Sequence, residues 1–327
     1  MKLDKLNTLE LKDILKYSGA ERPDVIQGAK VGEDCAIIRI GDYDMAITTD
    51  PITSASCNIG SLAFNVNSND IASCGIRPVG LMVTILAPPS AQIEEIRAVM
   101  MDIDRNAREN GAAILGGHTE VTDSVNRIII SITAFGYDKK ESLVLSTIPR
   151  LGDDIVVTKE LCIEGSSIIV NDFLEEVSDV LNEDEIKELK NNTNRVSVIR
   201  DGEIGRESGV SSMHDITEGG VLGALCEITS NKNLGFRVYY DKMPISFPVF
   251  KICDKLGLDP LRLISSGSML ITTSDSRKLI SRLNESNING TLIGKITEKK
   301  GILVKEGKEY NIFYNEKDEL YKLFGGY

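Results

Sequence analysis

The sequence lacks most of the short signatures that mark a nucleotide-binding or metal-dependent enzyme. It has no G-x-x-x-x-G-K-[ST], so it is not a P-loop protein, and no G-x-G-x-x-G after a strand, which removes the dinucleotide fingerprint. H-E-x-x-H and G-x-S-x-G are missing too. Histidine is scarce: only two of the 327 residues are histidine, His118 and His214. No apolar run is long enough to span a membrane. The N-terminal MKLDKLNTLELKDILKYSGA alternates charge with apolar residues and lacks the apolar core and cleavage site of a signal peptide. No dense basic run occurs and the formal charge is −12, which speaks against nucleic acid as a partner. The six cysteines (Cys35, Cys57, Cys74, Cys162, Cys226 and Cys253) form no C-x-x-C pair, which speaks against a zinc cage. With no secretion signal they are expected to be reduced thiols of a cytoplasmic protein.

What is present is an ordinary globular balance, 42% hydrophobic and 26% charged, over a length that suggests two domains. AIIRI (36–40) and MAITT (45–49), separated by GDYD, read as a hairpin whose second strand delivers Asp50 and is stopped by Pro51. From Asn58 the stripe Ile59, Leu62, Ala63, Val66 predicts a helix ended by Gly75 and Pro78. VGLMVTILAP reads as a buried strand, and residues 93–107 as a second amphipathic helix stopped by Asn110-Gly111. AAILGG and RIIISITAFGY are predicted strands flanking a glycine turn at GGHTEV (116–121). The polar, punctuated stretch around residues 138–154 is the best boundary. Beyond it lie the strand DIVVTK, a charged helix EEVSDVLNEDEIKELKN, a helix GGVLGALCEITSN, the strands GFRVYYDKMPI and SGSMLITTS, and a terminal meander. Mixed helices and strands with hairpins favour α+β over a doubly wound parallel sheet.

Acidic residues recur at element edges of the first half: Asp34 in GEDCA, Asp50 in TTDP, Asp70 in NSND and Glu120 in GGHTE. Asn65 and Asn69, four apart, share a helix face beside Asp70. Polar groups on a helix that buries Ile59, Leu62 and Val66 need partners if they point inward. Hard oxygen ligands of this kind suit Mg²⁺, which can bridge carboxylates to phosphates. For any single aspartate a cap or turn role is the plainer alternative. In the second half MHDITEGG (213–220) sets His214, Asp215, Thr217 and Glu218 before a glycine pair that opens an apolar helix, a place that attracts anions or simply a capped turn. TKELCIEGSS puts Lys159 after a strand and Gly165 before a helix, a further candidate anion turn.

The ordered motifs GEDCA, TTDP, IGSLAFNVNSNDIASCGIRP, GGHTEV, GDDIVVTKELCIEGSS and MHDITEGG, with the late LISSGSMLITT, resemble the AIR synthase-like (PurM-like) ATP-dependent enzymes, most of all their HypE-like, AIR synthase-related branch. The resemblance implies a two-domain α+β architecture: an N-terminal ATP-binding, dimerising domain over 1–148 and an α/β C-terminal domain over 149–327. It implies ATP and Mg²⁺ as cofactors, a homodimer, and a small-molecule or partner-borne substrate. The chemistry would be activation of an amide-type oxygen or direct phosphoryl transfer, with hydrogenase maturation as one setting. By motif, Asp34, Asp50 and Asp70 would hold the metal, and Asn69, Gly116, Gly117, His118, Thr119 and Lys159 the nucleotide. His214, Asp215 and Glu218 would face the substrate. Two departures stand out. The family's GGDT acid is His118 here, unless Glu120 replaces it. The HypE C-terminal cysteine has no counterpart in YKLFGGY. An ATP-binding maturation or scaffold protein without catalysis, and a thiamine-monophosphate kinase-like phosphotransferase, are the alternatives.

Overall fold

The computed structural model describes residues 8–30, 32–53, 58–146, 148–230, 233–313 and 317–324; Cys57 and the last three residues of YKLFGGY fall outside them. In the first half α1 (Thr8–Ile14), β1 (Val25–Gln27), β2 (Ala36–Ile40) and β3 (Tyr43–Ile52) precede α2 (Ile59–Ser73). Then come β4 (Gly80–Ala87), α3 (Ile93–Asn110), β5 (Ala113–Val121) and β6 (Ile129–Lys139). The strands form one sheet in the order β1-β2-β3-β6-β4-β5, antiparallel except where β5 runs parallel to β4. Helix α2 packs on β3 and β6, and α3 on α2. β6 buries every second residue, Ile130, Ile132 and Ala134, against them.

The expected hairpin and both helices form, but α2 is buried on nearly every side: Phe64, Asn65, Asn67, Asn69 and Asp70 are buried, while the expected stripe of Ile59, Leu62 and Val66 is only half-buried. Gly75 (φ 76°) and Gly111 (φ 72°) close α2 and α3 in the left-handed conformation that glycine adopts without strain. Gln92 and Glu95 form a capping box at the start of α3. Two expectations change. Pro51 does not stop β3, which pairs with β6 as far as Ile52. The β2 partner ends at Ile47, so Pro51 lies where the β2 side of the strand is open and its missing N–H costs no ladder bond. GGHTEV is not a turn: it is the outer part of β5. Gly117 serves close strand pairing, because a Cβ there would sit 1.7 Å from the Val83 carbonyl oxygen.

The second half contains β7 (Asp154–Thr158), α4 (Ile163–Asp172), α5 (Leu174–Val177), α6 (Glu183–Asn191), α7 (Ile199–Ser208), β8 (Ser212–Asp215) and α8 (Gly220–Ser230). It continues through β9 (Leu234–Tyr239), α9 (Phe247–Leu256), β10 (Met269–Thr273), α10 (Ser276–Glu285), β11 (Gly290–Glu298), β12 (Gly301–Lys305) and β13 (Lys308–Ile312). Its sheet has the order β13-β12-β9-β11-β7-β10-β8. The charged stretch read as one helix is two, α5 and α6. Asn182 begins α6 with a capping box, accepting from Glu185 N–H while the Glu185 carboxylate accepts from Asn182 N–H. The apolar core crosses the halves: Ile71 and Ala72 of α2 share a cluster with Val156, Met213, Met269 and Ile271. Helix α7 lies so close to α2 that a Cβ at Gly202 would stand 2.1 Å from Ala72 O. This is a two-domain, two-sheet α+β fold.

Candidate active site

Helix α2 presents Asp70 toward the inner face of β3, where Thr48 Oγ1 donates to its carboxylate. Two residues further along the same face of β3 is Asp50. The Asn67 side chain brackets its peptide, accepting from Asp50 N–H at 2.8 Å and donating to Asp50 O at 3.2 Å. Asp34 lies in the loop before β2. Gly32 (φ 82°) lets that loop pass close to α8, since a Cβ there would meet the Glu227 carbonyl oxygen at 3.3 Å. Ser146 Oγ donates to Asp34 at 3.0 Å. His214, on β8, sets Nδ1 2.8 and 2.9 Å from the two Asp34 oxygens and Nε2 2.9 Å from Glu227 Oε2. Asp215 follows at the strand end. One ligand atom each from Asp34, His214 and Asp215 fall within 4.8 Å of one another.

The electrostatics are those of crowded carboxylates. Burial pushes the Asp70 carboxyl well above the usual range, and Asp215, Asp50 and Asp34 push it further, while the Thr48 hydroxyl pulls it back. Asp70 therefore lies within electrostatic reach of three further carboxyl groups. Burial alone would lower the His214 pKa. Asp34 and Glu227 on its two sides outweigh that and hold the imidazole well above the ordinary histidine range. A site that favours protonation of an acid and charging of a histidine is short of positive charge. Its donor set of carboxylate oxygens suits a hard divalent cation, so the residues present fit Mg²⁺.

Asp34, Asp50, Asp70, His214 and Asp215 thus come together. Of the other sequence-derived candidates, Asn69 and Lys159 are tied to a loop of the second half, and the GGHTEV residues lie on the edge strand. Asn69 donates to Val196 O at 2.8 Å and accepts from Val198 N–H at 2.9 Å, tying α2 to the second half. Lys159 (φ 55°) sends Nζ to the carbonyls of Arg195 and Ser197 at 3.2 and 2.5 Å and to Asp201 at 3.7 Å. Both side chains hold the same loop. Glu218 lies beside Asp318, whose carboxyl is pushed up to about 6 by burial, with backbone N–H donors from Leu320 and Gly219 opposing. Gly116, Gly117, His118 and Thr119 are on the edge strand, three strands from β3, or about 14 Å at ordinary strand spacing. There His118 Nε2 meets Glu120 at 3.1 Å, both exposed. Of the cysteines, Cys35, Cys74, Cys162 and Cys253 are buried, and burial pushes the Cys35 and Cys162 thiols up, which makes poor nucleophiles.

Sequence reasoning missed Thr48, Asn67, Ser146 and Glu227. Glu227 did carry a signal, as the lone charged residue of the apolar helix GVLGALCEITS. Asn67 carried one too, standing between the two asparagines that were noticed. Thr48 and Ser146 had none.

Comparison with known proteins agrees with the two-domain fold. Residues 32–137 match the AIR synthase related protein N-terminal domain and residues 150–305 its C-terminal domain. The chain is 30% identical over 288 residues to a provisionally named hydrogenase expression/formation protein of Methanocaldococcus jannaschii, covering 84% of this chain and 82% of that one. It is 28% identical over 300 residues to the thiamine-monophosphate kinase of the same organism, covering 85% and 88%. The crystal structure of the hydrogenase maturation protein HypE in complex with ATP shares its fold at TM-score 0.74 and 20% identity, covering 94% of this chain and 93% of that one. With both domain families matched in order over most of its length, the chain belongs to the AIR synthase-related, PurM-like family of ATP-dependent enzymes.

Proposed function

We propose that the protein binds ATP with Mg²⁺ at the carboxylate cluster and uses it to activate an amide-type oxygen or to transfer a phosphoryl group, in the manner of a HypE-like enzyme. The observation that carries this is the convergence of Asp34, Asp50, Asp70 and Asp215, with Asp70 driven toward protonation by burial and by its three carboxylate neighbours. Asp34, Asp50 and Asp70 would hold the metal, with Asp215 alongside. When bound, Mg²⁺ neutralises phosphate charge and orients the transferring group. The protein's own part is positioning: Thr48 orients Asp70, Asn67 fixes the Asp50 backbone, and Ser146 and His214 orient Asp34. The acceptor is a small molecule or a group carried by a partner protein in the cytoplasm. Relatives of the HypE kind favour the activation chemistry. A second reading, phosphoryl transfer to a thiamine-monophosphate-like acceptor, is favoured by the likeness to that kinase over 85% of the chain.

The homodimer is part of the same reading. The sheet face turned away from α2 and α3 carries Tyr43, Met82 and Tyr137, which are 49%, 44% and 47% exposed. An apolar sheet face of this kind is suited to burial against a second copy.

Calorimetric titration with ATP tests the proposal. Tight binding that requires Mg²⁺ and is weakened at least about tenfold by Asp70→Asn is expected, as one charged ligand contact is lost. ATP affinity indifferent to Mg²⁺ would overturn it. ADP release with thiamine monophosphate, formylglycinamidine ribotide and carbamoylated peptides then separates the two chemistries.

A further inference from the structure

We propose that the cavity between helices α2 and α4 is a binding site for the primary ammonium group of a small organic amine. Leu62 lines it from α2, Glu164, Ser167, Ile168 and Asn171 from α4, and Val196 from the loop before α7. None of these six belongs to the carboxylate cluster, and Leu62 and Asp70 are about 12 Å apart along α2 at the helical rise. The site is therefore a separate one.

The first observation is charge. Glu164 lines the cavity and is only 7% exposed, and among the described residues no lysine, arginine or histidine lines it. Glu164 stands in the first turn of α4, where the helix dipole favours its charged form. A buried carboxylate in such company suits a cation. The second observation is the set of acceptors. An ammonium group has three N–H donors and no acceptor. The Glu164 carboxylate takes one of them. The buried Ser167 hydroxyl oxygen, which accepts from Asn171 Nδ2 at 3.3 Å, keeps a second lone pair for another. Asn171 commits Nδ2 to Ser167 O at 2.9 Å and so offers its Oδ1 as the third acceptor. The third observation is size. The cavity holds about 40 Å³, room for roughly three water-sized groups at about 10–15 Å³ each. The nitrogen and first two carbons of an alkylamine fill that space. Leu62, Ile168 and Val196 give those carbons apolar contact, which a bare metal ion would not use.

The wall of the cavity is held before any ligand arrives. Val196 O accepts from Asn69 Nδ2 at 2.8 Å, and Lys159 Nζ donates to the carbonyls of Arg195 and Ser197 on either side. A pre-formed wall spares the ligand the cost of ordering it.

The test uses the full chain with isotope-labelled isoleucine, leucine and valine methyl groups, titrated with ethylammonium chloride and followed by NMR. No nucleotide or Mg²⁺ is present, so the result is independent of the ATP reading. The methyl signals of Leu62, Ile168 and Val196 should move together, with a dissociation constant in the millimolar range, as so few ligand atoms allow. Ethanol, the uncharged isostere, and K⁺ should need at least about tenfold more for the same shifts. Glu164→Gln should weaken ethylammonium at least about tenfold. If that variant does not fold, Ile168→Phe, which fills the cavity, should abolish the shifts of Leu62 and Val196. Ethylammonium, ethanol and K⁺ acting alike would overturn the proposal, and so would three methyl signals that ethylammonium leaves unmoved.

Discussion

Asp318 shows how far one buried carboxyl can shape stability. Its ordinary pKa is 3.8, and in the fold it titrates at about 6, chiefly through burial. The folded state therefore holds this proton more tightly than the unfolded chain. The resulting stability is fully present below about pH 4 and is lost as pH rises through about 6, on the order of 3 kcal/mol in all. Asp318→Asn retains an acceptor for the Gly219 N–H, which Asp318 Oδ2 now receives at 2.7 Å. Urea midpoints between pH 4 and 7 should fall less steeply for the variant than for the wild type. Parallel profiles would show that some other group carries the slope. His214 makes the complementary point, since its charge is set by Asp34, 180 residues away in sequence.

Helix α2 is the element on which the site depends. Three asparagines and one aspartate lie among its buried residues, and each has a separate job. Asn65 bonds Ser61 O within the helix, Asn67 holds Asp50, Asn69 holds the loop at Val196 and Val198, and Asp70 joins the carboxylate cluster. Asn69→Ala deletes both partners of buried backbone groups in the second half, so it should cost about 2–4 kcal/mol. Asn65→Ala removes only a bond within its own helix and should cost about 1 kcal/mol. Thermal unfolding of the two variants checks this, and equal losses would deny Asn69 its special place. Helicity, start and stop of α2 were legible, because helical spacing and a Gly-x-x-Pro end are local features, but its buried face was not: Ile59, Leu62 and Val66 are half-buried while Phe64, the asparagines and Asp70 are buried. Which asparagine reached which strand or loop was not, because the partners come from β3 and from residues more than 120 positions away.

The whole molecule is tied together more firmly than a boundary at residue 148 suggests. β7, β8 and β10 send Val156, Met213, Met269 and Ile271 into the core that α2 and the first sheet share. The outer face of that first sheet is what remains uncovered. If a second copy covers it, sedimentation velocity at micromolar concentration gives twice the chain mass, and Met82→Lys, placing a charge amid that face, gives the single chain. A monomeric wild type would remove the dimer from the proposal. Among the described residues no helix is long and apolar enough to cross a membrane.

The amino-acid sequence by itself determined the hairpin, the two helices, the α+β class and the order of acidic motifs. Periodicity, caps and glycine stops act over a few residues and need no partner. It also offered Asp34, Asp50, Asp70, His214 and Asp215 as candidates for the site. Only the tertiary structure decided that these five meet, that Glu227 stands behind His214, and that Lys159 and Asn69 are tied to the loop of residues 195–198. It likewise made GGHTEV an edge strand instead of a turn, through backbone pairing with β4. Such outcomes depend on strand order and on contacts across the two halves, and side-chain direction at those contacts follows from long-range pairing that no local pattern encodes.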